Sequence, residues 1–145
     1  ERGITVSIAA AGWQKFRPEV FQYLTHVNIM CYDYPKKHST LAHAIKDVEA
    51  FISMGCPPAK INLGVPFYGR HVDSRESLPY SKLKLKGPQE DLIDGYYFNN
   101  KTTLKAKAKL VKKMNLSGMM IWQIEQDDSD MTLLKILKSE LANED

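Results

Sequence analysis

With 145 residues, 43% of them apolar and 26% charged, the chain has the make-up of one ordinary globular domain with a single core. Its net charge of +3 comes mainly from lysines in Ser81–Lys86 and Lys101–Lys113. No aromatic or arginine residue accompanies the second group, which argues against a nucleic-acid partner, and no apolar run approaches the ~18 residues of a membrane span. No signal peptide is visible, and any leader or preceding domain would lie outside this sequence.

Ile4–Ala11 reads as a first strand, with Thr5, Ser7 and Ala9 on one face and Val6, Ile8 and Ala10 on the other. Gly12 breaks it, and Arg17–Leu24 follows as a short helix with Pro18 in its first turn. The second strand, His26–Tyr32, puts Val27, Ile29 and Cys31 on an apolar face that suits packing under helices. Its other face carries Asn28, Met30 and Tyr32. Polar groups gathered at the C-terminal end of a strand buried on both sides are the layout of a parallel α/β site.

After a loop over Asp33–His38, Ser39 or Thr40 caps a helix whose Leu41, Ile45, Val48 and Ile52 share a face. Gly55 ends it, and Pro57 and Pro58 forbid continuation. Lys60–Phe67 is the third strand. Ile61, Leu63, Val65 and Phe67 face the helices, while Asn62, Gly64, Pro66 and then Tyr68 face the other way; Gly64 leaves room for something bulky. His71–Asn99 shows no clear helix, and its possible strand runs are Lys82–Leu85 and Gly95–Phe98. So long a connection reads as functional decoration. Asn100–Met114 is a helix capped at Asn100 or Thr102, with the lysines at 105, 107, 109, 112 and 113 as a solvated face. Met119–Ile124 is the fourth strand, and Ser129 caps a last helix over Asp130–Leu141.

Strand and helix therefore alternate four times, and right-handed crossovers make the sheet parallel. Four such units are half of a (β/α)8 barrel, which typically needs ~250 residues; a smaller doubly wound sheet is the alternative. Neither GxGxxG nor GxxxxGK[ST] occurs, so no nucleotide cofactor is expected, and no metal. Cys31 and Cys56 fall at opposite ends of adjacent parallel strands and are expected as free thiols.

On one side of the sheet the alternation collects Ser7 and Ala9, Met30 and Tyr32, Gly64 and Tyr68, and Met120 and Trp122. An aromatic floor with hydrogen-bonding rims suits a pyranose ring, whose faces are apolar and whose edges are hydroxyls; an aromatic-rich core is the other reading. Gln123, Glu125 and Gln126 beside Trp122 favour the first.

The segments MCYD (Met30–Asp33), LGVPFYGR (Leu63–Arg70) and GMMIWQIEQD (Gly118–Asp127) resemble strands six, seven and eight of glycoside hydrolase family 18, the chitinases and endo-N-acetylglucosaminidases. SIAAAG (Ser7–Gly12) resembles strand five. The resemblance covers nearly the whole chain, in order, and implies one partial catalytic domain over residues 1–145: the C-terminal half, strands five to eight, of a TIM (β/α)8 barrel. It further implies that Tyr32 and Asp33 are catalytic and that Met30, Tyr68, Arg70 and Trp122 bind substrate. Tyr32 would hydrogen-bond the acetamido group of N-acetylglucosamine, Asp33 would contact the sugar on the leaving side, and Trp122 would form the floor. The implied partner is a glycan containing N-acetylglucosamine, hydrolysed with help from its own acetamido oxygen. Secretion or residence in the cell envelope is implied in the same way.

One part of the pattern is missing. The family's proton donor lies in DxxDxDxE on strand four, and this chain lacks that motif. Asp91-Leu92-Ile93-Asp94-Gly95 imitates its start, but Tyr96 and Phe98 stand where the third aspartate and the glutamate belong, and Glu1 lies too close to the first strand. The isolated chain is therefore expected to hydrolyse nothing. It is either part of an enzyme or a sugar-binding module without the acid. Edge strands at both ends are expected to be covered by the missing half-barrel or by a second copy of the chain.

Overall fold

A computed structural model describes residues 3–84 and 90–142. Glu1 and the Leu85, Lys86, Gly87 and Pro88 of the polar stretch lie outside the described residues. Four strands, β1 (Ser7–Ala11), β2 (His26–Met30), β3 (Ile61–Pro66) and β8 (Gly118–Trp122), form one all-parallel sheet in the order β1-β2-β3-β8. The sheet is open: among the described residues β1 and β8 each lack a strand on the outer side.

The alternation read from the sequence decides which face is covered. Val27, Ile29, Cys31, Ile61, Leu63, Val65 and Phe67 are fully buried. They pack beneath α1 (Leu41–Ser53), α3 (Lys101–Lys113) and α4 (Thr132–Ala142). Among the described residues no helix covers the opposite face. There Asn28 donates to the Ile8 carbonyl at 3.1 Å and Asn62 donates to Asn28 at 2.9 Å, a polar rung across β1, β2 and β3. The space beside Gly64 is taken by neighbours: a Cβ there would collide with the Ile29 carbonyl and crowd the Met120 methyl.

Several local readings change. Pro18–Tyr23 is a 3₁₀ helix, with Pro18 at its start as expected. Thr40, not Ser39, caps α1, its hydroxyl accepting from the His43 amide at 3.1 Å, and Asn100 caps α3. Ser129 does not cap α4, which begins later. Asp127 accepts from the Leu133 and Leu134 amides, and Asp128 from those of Asp130 and Thr132. A carboxylate at a helix start gains from both the free amides and the dipole, and so displaces a hydroxyl. Cys31 and Cys56 are free thiols.

The stretch after β3 folds as a second, antiparallel sheet of order β5-β4-β7-β6, built from β4 (Tyr68–His71), β5 (Ser77–Pro79), β6 (Leu92–Ile93) and β7 (Tyr96–Tyr97). The run at Gly95–Phe98 contains β7, which is limited to Tyr96–Tyr97. The described part of the run at Lys82–Leu85 is not a strand: Tyr80–Leu83 is a helical turn, α2, that buries Tyr80 and Leu83 together at i, i+3 spacing. Asp94 and Gly95, at φ 50° and 80°, make the two-residue turn joining β6 to β7. The apparent start of DxxDxDxE is thus a hairpin. Its Asp91 accepts from the Asn100 amide at 2.9 Å and the Thr103 hydroxyl at 2.6 Å, tying the hairpin to the start of α3.

Candidate functional site

The C-terminal ends of the parallel strands carry the residues picked out from the sequence. Asp33, three residues past β2, is their hub. Its backbone sits at φ 68°, a left-handed conformation that Asp tolerates better than most residues. Contacts on every side hold it there. Tyr68 Oη donates to Oδ1 at 2.7 Å, while Arg70 donates Nε to Oδ1 at 2.6 Å and Nη2 to Oδ2 at 3.0 Å. Arg75 Nη2 donates to the Asp33 carbonyl at 3.0 Å, and the Asp33 amide donates to His38 Nδ1 at 3.4 Å. The antiparallel sheet is what delivers Arg70 and Arg75, so the decoration expected over 71–99 acts as a clamp on this loop.

Electrostatics follow from that clamp. Burial works against a charge on Asp33, but the His38 imidazole, the Tyr68 hydroxyl and the Arg70 guanidinium outweigh it and hold the carboxyl well below the usual range. Asp33 therefore stays ionised. Burial, reinforced by the Asp33 charge, pushes Tyr32 and Tyr68 above the ordinary phenol range, so both stay protonated. Burial lowers the pKa of His38, which is fully enclosed and lies 5.2 Å from the Tyr68 ring. His38 Nδ1 lies 3.4 Å from the Asp33 amide and 3.7 Å from its Oδ1, and Nε2 has no hydrogen-bond partner among the described residues.

Tyr32 stands edge-on to Tyr68, with ring centres 6.3 Å apart. The acceptor its hydroxyl meets is the Met120 sulfur at 3.8 Å, a weak one. Met30, Tyr32 and Asp33 share a cavity of about 270 Å³ with Trp13, Tyr34 and Pro35. Tyr32, Asp33, Tyr68 and Arg70 thus come together through direct contacts, and Met30 joins them along the cavity wall. Trp122 does not line this cavity. It ends β8 beside Pro66, 55% exposed, with its carbonyl accepting from the Phe67 amide at 2.9 Å.

Behind the loop lies a group that the sequence reading placed in solvent. Lys107 is fully buried, and its ammonium donates to the Ser39 carbonyl, the Ser39 hydroxyl and Asn99 Oδ1 at 3.0, 2.7 and 2.7 Å. Ser39 Oγ in turn donates to the Cys31 carbonyl at 2.9 Å, so the network reaches the end of β2. Spacing could have revealed it: Lys107 falls three residues after Leu104 and four before Val111, on the buried face of α3. Asp47 was missed as well. Its Oδ1 accepts from the Tyr34 hydroxyl at 2.5 Å, and its carboxylate lies so close to Gly12 that a Cβ there would strike it. Burial raises the Asp47 pKa, but the residue does not line the cavity.

The model of the family described as Glycosyl hydrolases family 18 matches residues 3–127. The chain belongs to that family. A curated relative, putative chitinase 1 of Margaritifera margaritifera, is 24% identical over 123 residues, covering 62% of this chain and 26% of its own length. A chitinase structure from Bacteroides thetaiotaomicron superposes with a TM-score of 0.88 at 26% identity, covering 99% of this chain and 54% of that one. The chitinase-like agglutinin of Robinia pseudoacacia shares the fold, with a TM-score of 0.81 at 22% identity over 96% of this chain and 56% of that one. The chain thus spans about a quarter of the curated relative and about half of these two structures.

Proposed function

We propose that this chain is the C-terminal half, strands five to eight, of a family 18 (β/α)8 barrel, one partial catalytic domain over residues 1–145 that holds the sugar whose bond is cut. The glycan is β-1,4-linked and contains N-acetylglucosamine. In substrate-assisted retaining hydrolysis the sugar's own acetamido oxygen attacks the anomeric carbon while a carboxylic acid protonates the leaving oxygen. The first task needs a neutral donor to fix the acetamido group; the second needs an acid.

The observation that carries this reading is the Tyr32 hydroxyl. It stays protonated, its described acceptor is a weak thioether, and it sits on a cavity beside a charged Asp33. A phenol with capacity to spare suits an acetamido oxygen, and fixing that oxygen near the anomeric carbon raises its effective concentration. Asp33, ionised and clamped by Arg70, serves orientation and charge rather than proton donation. Trp122 offers its exposed indole as the floor for the ring.

No described carboxyl lining the cavity is poised to give up a proton, and DxxDxDxE is absent from the sequence. The acid therefore belongs to an N-terminal half-barrel that pairs with β1 and β8. A second copy of the chain is the other covering we consider for those edges, and secretion or residence in the cell envelope goes with the family. A non-catalytic sugar-binding module is the second reading, favoured by the missing motif and by an agglutinin of the same fold. A fluorogenic chitobioside tests the account. The chain alone should give no turnover, and turnover abolished by Tyr32→Phe would overturn the assignment of the acid to another half.

A further inference from the structure

The loop that carries Tyr32 and Asp33 runs from Cys31 to Ser39, and its two ends meet. Ser39 Oγ donates to the Cys31 carbonyl at 2.9 Å, and inside the loop the Tyr34 amide donates to the His38 carbonyl at 3.1 Å. Asp33 and Lys36 both hold left-handed backbone, at φ 68° and 62°. Residues with a side chain keep that conformation only where their surroundings enforce it. Arg70 and Arg75 do so from the exposed side. From the helix-covered side the brace is Lys107 on α3, buried together with Ser39 and Asn99.

A charged lysine offers three hydrogens and no acceptor. Three acceptors match them: the Ser39 carbonyl at 3.0 Å, Ser39 Oγ at 2.7 Å and Asn99 Oδ1 at 2.7 Å. The match sets the direction of the next bond. Ser39 Oγ accepts from the ammonium, so the hydroxyl gives its one hydrogen elsewhere. Asn99 Oδ1 is 3.4 Å away and already engaged, which leaves the Cys31 carbonyl. A neutral amine has two hydrogens and a lone pair, so one contact is lost and Ser39 is free to turn its hydrogen toward the nitrogen. Charge on Lys107 therefore locks the loop closure one residue before Tyr32. The titratable groups that face it are the Cys31 thiol after β2, Asp47 and His43 on α1, His38 in the loop and Asp91 ahead of β6.

We infer that Lys107 is a positioning residue for the sugar site: its charge closes the Cys31–Ser39 loop from behind and so sets Tyr32 and Asp33 for the substrate. This rests on the sugar-binding reading above and adds a pH dependence to it. Burial brings the Lys107 pKa down to about 8, so from there to about 10.4 folding stability rises with pH. Over the same range the lost proton loosens the loop, and sugar affinity falls. A lysine that served stability alone would leave affinity level.

Two readouts on the intact protein test this, with Lys107→Met and with Ser39→Ala, which keeps the ammonium. Circular dichroism first establishes that each variant is folded. Without ligand, a carboxyl NMR titration should find Asp33 moved up toward the ordinary value near 3.9 in both variants, a change that lower global stability does not produce in the folded state. With N-acetylglucosamine oligomers, calorimetry should show the unaltered protein losing affinity about three- to tenfold between about pH 7 and about pH 9.5. Lys107→Met should bind more weakly at the lower pH and show no such fall. An Asp33 that stays put in Ser39→Ala, or an affinity of the unaltered protein that is level with pH, overturns the positioning role and leaves the sugar-binding reading standing. If the unaltered protein binds no oligomer at any pH, the sugar-binding reading falls and the positioning role for a sugar falls with it.

Discussion

Arg70 grips both oxygens of the Asp33 carboxylate, Nε on Oδ1 at 2.6 Å and Nη2 on Oδ2 at 3.0 Å. Such a paired fork fixes orientation as well as charge. The Asp33 pKa is depressed in the folded chain, so its contribution to stability is present above the ordinary carboxylate value near 3.9 and is lost as pH falls through the lower folded value. The side chain is 40% exposed, and solvent screening keeps that contribution near ~1 kcal/mol. In a carboxyl NMR titration, Arg70→Ala should move Asp33 back up toward the ordinary value. An unaltered protein whose Asp33 titrates normally would contradict the clamp.

Lys107 gives a pH dependence of opposite direction. Burial pulls its pKa down to about 8, although Cys31, Asp91 and Asp47 push the other way. The unfolded chain, with an ordinary lysine near 10.4, binds more protons between those two values, so this group makes stability rise with pH from about 8 to about 10.4. The difference between unaltered protein and Lys107→Met should therefore change across that window by on the order of 3 kcal/mol in the unaltered protein's favour. Denaturant melts at several pH values measure it. A difference that is flat with pH would mean that Lys107 is not buried as described.

Asp91 should prove structural. Its two oxygens serve the Asn100 amide and the Thr103 hydroxyl, so Asp91→Ala should lower stability by about 1–2 kcal/mol and leave sugar affinity intact. Parallel thermal melts and oligosaccharide titrations separate the two effects. Lost affinity at unchanged stability would place Asp91 in the site instead.

Ile4 and Val6, just ahead of β1, are 78% and 52% exposed, and β1 and β8 have no outer neighbour among the described residues. Open strands of this kind are templates for pairing. At micromolar concentration the chain alone should sediment as an associated species or bind a hydrophobic dye. A cooperatively melting monomer that binds no dye would show that four units suffice.

Much of the architecture was legible because period-two alternation in a strand fixes both faces at once. Val27, Ile29 and Cys31, or Ile61, Leu63 and Val65, could point one way only. The site was legible in part, since Tyr32, Asp33, Tyr68 and Arg70 follow strand ends. His38, Arg75 and Asp47 were not, because their partners are set by how the loops and α1 fold back on one another, which strand alternation does not encode. The antiparallel sheet escaped because its strands are as short as two residues, although Asp94-Gly95 is a hairpin turn signal. Lys107 was misplaced by its charge: the helical spacing put it in the core, and three nearby acceptors allow it to stay there.

In the proposed function the Tyr32 hydroxyl takes the acetamido oxygen of the sugar. The direct measurement compares the affinity of the intact protein for N-acetylglucosamine oligomers with that for the matching glucose oligomers, before and after Tyr32→Phe. One hydrogen bond is worth about 0.5–1.5 kcal/mol, so the unaltered protein should prefer the acetamido sugar by at least that amount, and Tyr32→Phe should remove most of the preference. Equal affinity for the two sugars, or a preference that survives the substitution undiminished, would contradict it.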